Sequence, residues 1–170
     1  MKKAALYLVS ILVLLIGAFV AIGFVFPSVE YTTTVEVNKP RDQVWRVLRE
    51  RKDWIDGFKS AEPISGQPET VGSKVKLVVV RDGSEITFTG ELMNIKPPEA
   101  VTTKLDNEML EHIASVQLID EGGKTRVVSN EKITGKNFFM RSLFQLIRGR
   151  ITGISTKNFE GLRRAAESAE

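Results

Sequence analysis

Cysteine is absent from the 170 residues, which excludes disulfide scaffolds, thiol nucleophiles, cysteine-ligated zinc and lipid attachment through cysteine. Histidine occurs once, at position 112, so a serine–histidine–aspartate triad has a single source for its base. A zinc site would have to combine that histidine with carboxylates, and no Asp/Glu/His spacing suggests one. Glycine-rich phosphate loops of the G-x-G-x-x-G or Walker type are missing, and Asp82-Gly83 has the form of a hairpin turn instead. No cofactor is therefore expected. An excess of one charge sign is also lacking where it would matter. Lys2 and Lys3 are two of the 24 basic residues, so the rest of the chain holds 22 against 21 acidic ones. A near-neutral domain behind a basic tip is not a nucleic-acid binder.

From Ala4 to Phe26 charge is missing altogether. Twenty-three such residues make about 35 Å of helix at about 1.5 Å each, enough to cross a hydrocarbon core of about 30 Å. The interior of the run is apolar on every face, and Tyr7 and the Phe24–Phe26 cluster suit the two interfaces. Lys2 and Lys3 precede the run and Glu30 follows it, so the expected arrangement is single-pass, with the N-terminus cytoplasmic and the folded part periplasmic or extracellular. Residues 1–27 are then an anchor and residues 28–170 a domain. The rival reading is a cleaved signal peptide, with Ala21-Ile22-Gly23 as a passable small-x-small site behind an apolar stretch longer than such peptides usually carry. Either way the domain lies outside the cytoplasm.

Beyond Pro27 the pattern alternates. Tyr31, Thr33, Val35 and Val37 share one face of a half-buried strand. Asn38-Lys39-Pro40 marks a helix start, with Asn38 as candidate cap, and Val44, Trp45, Val47 and Leu48 form its apolar stripe. A brief helical turn ends at Gly57, followed by a loop with a short edge strand near Ser60–Ser65. Strand-like runs then cover Lys74–Arg81, Glu85–Ile95, Val101–Leu105, Glu111–Ile119 and Thr125–Thr134, all joined by short turns, as in an antiparallel sheet. Gly90 is expected at a bulge or a close approach. Asn137 to Ala166 contains no proline, and Phe144, Ile147, Ile151, Ile154, Asn158 and Leu162 recur at helical steps, predicting one long amphipathic helix. Its Gly149 and Gly153 are expected to let it approach the sheet or leave room for a ligand. The helix arginines are read as a solvated face, with anionic headgroups as the alternative contact.

The stretch Val35-Glu36-Val37-Asn38-Lys39-Pro40-Arg41-Asp42-Gln43-Val44-Trp45-Arg46-Val47-Leu48, with Trp54 nine residues after Trp45, resembles the opening of the START-like polyketide cyclase/dehydrase and lipid transport superfamily (SRPBCC). Gly72-Ser73-Lys74-Val75 is similar to its strand start, Gly123-Lys124-Thr125-Arg126-Val127 to its hairpin, and Asn158-Phe159-Glu160-Gly161-Leu162-Arg163-Arg164 to its closing helix. The resemblance runs from about Tyr31 to Glu167. This chain departs from the family in carrying Lys39 where a small residue is usual, and Gly57 or Phe58 where a second tryptophan is common.

The resemblance implies an α+β helix-grip fold, a curved seven-stranded antiparallel sheet around a long C-terminal helix, here preceded by one transmembrane helix. It also implies a hydrophobic cavity between sheet and helix for a small apolar or lipidic ligand. Trp54, Phe58, Leu77, Phe88, Leu92, His112, Ala114, Phe144, Ile147 and Ile151 are the expected lining. Glu85, Glu91, Glu111 and Glu131 lie on strands and are expected mostly on the solvent face. No catalytic residue is assigned, with His112 kept as the one candidate base. The expected role is a membrane-tethered carrier. The alternatives are a cyclase or dehydratase using His112 and a nearby carboxylate, and a docking module whose interior is filled by its own side chains.

Overall fold

The computed structural model describes residues 2–169; Met1 and Glu170, the outer ends of the two expected units, lie outside the described part, as do the side chains of Lys2 and Ala4. Helix α1 (Lys2–Val25) is uncharged after Lys3 and almost wholly exposed, and its Ala5–Val25 stretch is long enough to cross a membrane. The chain then alternates, and strand β1 (Ser28–Val37) buries Val29, Thr33, Val35 and Val37. Helix α2 (Arg41–Arg49) places Val44, Trp45, Val47 and Leu48 inward, as their spacing dictates. Strands β2 (Phe58–Ser65), β3 (Lys74–Arg81), β4 (Ser84–Lys96), β5 (Ala100–Asp106), β6 (Leu110–Asp120) and β7 (Thr125–Gly135) follow. All seven pair antiparallel in one sheet, in the order β1-β7-β6-β5-β4-β3-β2. Asp82 and Gly83 both take positive φ, as the tight hairpin between β3 and β4 requires.

The expected single closing helix is two helices. Helix α3 (Phe138–Leu146) is capped by Asn137, whose side chain accepts from Met140 N at 2.9 Å. Ile147, at φ −99° and ψ 18°, breaks the run, and α4 (Arg148–Ser168) sets off in a new direction. The two halves have different partners. Helix α3 packs on the last turns of α1, whereas α4 buries Ser155, Phe159, Leu162 and Ala166 in the cup of the sheet. One straight helix cannot satisfy both surfaces, and periodicity is blind to that.

Two further expectations are corrected, and that for Gly90 is met in its second form. Asn38 does not cap α2. Its backbone N and Nδ2 both donate to Glu167 Oε1 at 3.0 Å, while Lys39 Nζ and Gln43 Nε2 donate to Ala169 O at 2.9 Å, so this corner clamps the end of α4. The irregularity in β4 falls between Leu92 and Asn94, and Gly90 is instead a close approach, a Cβ there lying 3.0 Å from Val75 Cγ2. Gly149 and Gly153 face open space; the glycine that α4 needs is Gly161, where a Cβ would sit 2.8 Å from the Trp54 carbonyl oxygen. The main core lies between that end of α4, α2 and the β1-β7-β6 side of the sheet, around Val37, Val44, Trp45, Val127 and Leu162.

Candidate functional site

Because α4 leans on β1 and α2, it leaves the β3–β6 part of the cup uncovered, and a cavity of about 650 Å³ remains there. That is within the roughly 300–1,000 Å³ of ordinary ligand pockets. Of the residues expected to line such a space, Trp54, Leu77, Phe88, Leu92, His112, Ala114, Phe144 and Ile151 all border it. Phe58 does not. It begins the edge strand opposite Val79 and lies in a shallow dent beside Arg51, Lys52 and Ala61. Ile147 does not either, because the helix break turns it out of the cup to 36% exposure. Trp54 is held in place by its indole Nε1, which donates to Leu48 O at 3.0 Å, and by the Phe159 ring at 5.8 Å between centroids.

The cavity is mostly apolar; charged side chains such as Arg49, Arg51, Lys74, Arg81 and Glu91 also border it, and a buried polar cluster lies in its β1-β7-β6 wall. Strand alternation puts Ser129, Glu131 and Ile133 of β7 on the inner face, between Tyr31 of β1 and His112 of β6. Glu131 is 7% exposed, so the expectation of a solvent-facing carboxylate is overturned. Four side chains converge on it. Tyr31 Oη donates to Oε2 at 2.9 Å, and His112 Nε2 lies 2.9 Å from the same oxygen. Ser129 Oγ donates to Oε1 at 3.3 Å, and Ser155 Oγ of α4 donates there too. With the Ser155 proton so used, Thr33 Oγ1 supplies the hydrogen of the 3.0 Å Thr33–Ser155 contact.

The electrostatics follow from this count. Burial alone would raise the Glu131 pKa, but the hydrogen bonds from His112, Ser155 and Tyr31 and the charge interaction with His112 together hold it below the usual carboxylate range. Burial first, and then the neighbouring Glu131 charge, push the Tyr31 phenol well above the ordinary tyrosine range. An ionised Glu131 accepts only, so His112 carries a proton on Nε2. In the neutral ring Nδ1 is then the acceptor, oriented as a carboxylate orients a catalytic imidazole.

Tyr31, Ser129, Glu131 and Ser155 were not marked as site residues by the sequence. For Glu131 a signal existed. It shares parity with buried Val127 and Ile133, while Arg126, Asn130 and Lys132 occupy the other face. The remaining carboxylates behave differently. Glu85 is exposed; Glu91 is half-buried at the cavity margin, 3.2 Å from Lys104 Nζ; Glu111 is half-buried and outside the cavity lining.

The uncovered flank, between α4 and the β3–β4 side, is bridged by charge. Arg150 pairs with Asp82 of the β3–β4 turn, and Lys157 Nζ lies 3.0 Å from Asp56 Oδ1, with Arg81 on the other oxygen. Exposed pairs of this kind contribute only about 0–1 kcal/mol each, so this side of the cavity opens at low cost.

No protein-family model and no curated protein matches the chain. Solved structures do match. The crystal structure of Ara h 8.0201 aligns with a TM-score of 0.64 at 14% identity, covering 84% of this chain and 99% of that one. Norcoclaurine synthase from Thalictrum flavum, in complex with dopamine and hydroxybenzaldehyde, aligns at 0.62 and 12% identity, over 84% of this chain and 88% of that one. The di-domain ARO/CYC BexL from the BE-7585A biosynthetic pathway aligns at 0.66 and 15% identity over 85% of this chain, which spans 52% of its length. The shared architecture is the helix-grip fold, a curved seven-stranded antiparallel sheet around a C-terminal helix.

Proposed function

We propose that this helix-grip chain is a membrane-tethered carrier for a small amphipathic molecule, held with its apolar body in the cavity and one hydrogen-bonding group against the His112–Glu131–Tyr31 cluster. The supporting observation is a largely apolar space of about 650 Å³ with a buried polar cluster in its wall that already satisfies its own carboxylate. The donors around Glu131 are spent on it, so a ligand hydroxyl meets the acceptor nitrogen of His112. Removing about 200 Å² of apolar ligand surface from water is worth about 5 kcal/mol before the costs of association. In this reading α1 spans the bilayer with Lys2 and Lys3 on the cytoplasmic side, residues 28–170 form the domain outside, and the tether raises the effective concentration of membrane-resident ligands. A cavity of this size argues against a docking module filled by its own side chains.

Ala114 stands opposite Glu131 in the β6–β7 register and borders the cavity. Ala114→Phe is expected to weaken uptake of a fluorescent fatty-acyl probe by the detergent-extracted full chain at least about tenfold, or about 1.4 kcal/mol, while the thermal midpoint stays well above the assay temperature. Unchanged uptake with native mass spectra free of any co-purifying ligand would remove the carrier reading.

The 2.9 Å His112–Glu131 contact favours a second reading, in which the imidazole is a general base acting on an apolar substrate. His112→Gln then lowers turnover by about 10²–10⁴-fold in a panel of cyclisable polyketide-like substrates and leaves probe uptake largely intact. The carrier reading expects no turnover from either form.

A further inference from the structure

The last turns of α1 are not free of the domain. Ser142 Oγ of α3 donates to Phe19 O at 2.6 Å, and the Phe19 and Phe139 rings lie 5.4 Å apart. Phe24 stacks on Phe138 at 6.5 Å, and a Cβ on Gly23 would fall 2.4 Å from Phe138 O, so the two helices touch backbone to backbone. Phe19 is six residues before Val25, about 9 Å along the axis. Ala5–Val25, at 21 residues, is only about as long as the hydrocarbon is thick, so a span that uses it has Phe19 below the membrane surface. Whatever binds Phe19 shares its depth.

The outer side of α3 fits that depth. Phe139 remains 50% exposed beside the Phe19 ring, and Leu146 is 63% exposed. Exposed Met109, on the β5–β6 turn, adjoins the start of α3, its carbonyl accepting from Lys136 N at 2.9 Å. Exposed Lys136 and Arg148 stand at the two ends of this patch, Lys136 paired with Asp106 and Arg148 donating to Glu30 O at 2.9 Å, so the patch is rimmed by basic side chains where headgroups would lie beside a partly immersed helix. The inner side of α3 presents Phe144 to the cavity.

We infer that α3, with the α3–α4 corner and the β5–β6 turn, is an interfacial helix seated in the leaflet from which α1 emerges, so that the cavity wall carrying Phe144 borders acyl chains and the pocket loads from lipid rather than from water. The partner is the bilayer surface itself, and the ligand class is a bilayer-resident molecule with an alkyl or polyprenyl-like body. The inference rests on α1 spanning the membrane, as proposed above.

The absence of cysteine makes the test direct, since any single cysteine introduced into the full chain is the only one. Leu146→Cys, Met109→Cys, Lys124→Cys on the opposite end of the sheet, and Leu14→Cys in mid-α1 are each labelled with a polarity-sensitive fluorophore. Each is reconstituted in vesicles of phosphatidylcholine and phosphatidylglycerol. All four side chains are exposed, so the fold does not depend on them. Labels at 146 and 109 are expected to be quenched by shallow doxyl lipid and at least about threefold less by aqueous iodide than the label at 124, with 14 quenched by deep doxyl lipid. If 146 and 109 match 124 while 14 is deep, the interfacial placement is overturned and the span stands. If 14 is open to iodide, both fall.

Discussion

Glu131→Ala is expected to lower the unfolding free energy by about 3 kcal/mol, because it removes the one acceptor shared by Tyr31, His112, Ser129 and Ser155. Chemical denaturation at neutral pH reads this as a lower midpoint at unchanged slope. The pH dependence identifies the cause. Glu131 has a lower pKa folded than unfolded, so the unfolded chain binds its proton more readily. The stabilisation is present above the ordinary glutamate pKa of about 4.3 and is lost as pH falls through that value and on through the lower folded one. Tyr31 acts at the other limit. Its pKa is raised in the fold, so its contribution is steady below the ordinary tyrosine pKa of about 10 and declines as pH rises beyond it. Glu131→Gln keeps the shape and much of the hydrogen bonding but carries no charge. It is expected to flatten the acid limb and soften the alkaline one. A variant whose acid limb matches the parent's would show that the cluster does not carry this dependence.

Leu162→Ala is expected to cost about 3 kcal/mol or more for a different reason. Leu162 has no exposed surface and sits in the cluster formed by α2, α4 and the β1-β7-β6 side of the sheet, away from the cavity lining. Truncation loses the transfer free energy of the removed carbons, with a further penalty of about 24 cal/mol per Å³ for whatever void remains. Neighbouring Val37, Val44 and Val127 are themselves fully buried on strand and helix backbones, which limits collapse around the hole. Since Leu162 does not border the ligand space, probe uptake below the melting transition should match the parent. The pair of variants thus separates the two interiors of the cup. Loss at Leu162 is read in stability alone, whereas Ala114→Phe is read in uptake. Weak destabilisation at Leu162, well under 2 kcal/mol, would mean that α4 is not clamped into the sheet as the Asn38–Glu167 and Gln43–Ala169 contacts indicate.

Much of this architecture was open to reading from residue order. The uncharged Ala4–Phe26 run, the alternation in Tyr31–Val37 and the short turns between five later strands are local patterns, and each element formed where its period put it. Burial of one face is enough to determine such elements, because a strand or helix must hide its apolar side whatever lies opposite. The same reasoning, carried to Thr125–Gly135, would have placed Glu131 inside; the general reluctance to bury a carboxylate overrode it.

That reluctance is correct only when partners are missing, and the partners here come from four separate segments. Tyr31, His112, Ser129 and Ser155 are scattered over 125 positions of the chain, and no spacing rule links them. The helix break at Ile147 is of the same kind. Phe144 to Leu162 keeps a helical rhythm through it, because each half is amphipathic, and only the positions of α1 and the sheet require two directions. By itself, then, the order of residues determined the uncharged N-terminal helix, the strands and the class of the fold, since these depend on local periodicity and hydrophobic transfer. Tertiary structure decided which polar groups meet in the cavity, where the closing helix turns and that α3 packs on α1, since those depend on contacts between segments far apart in the chain.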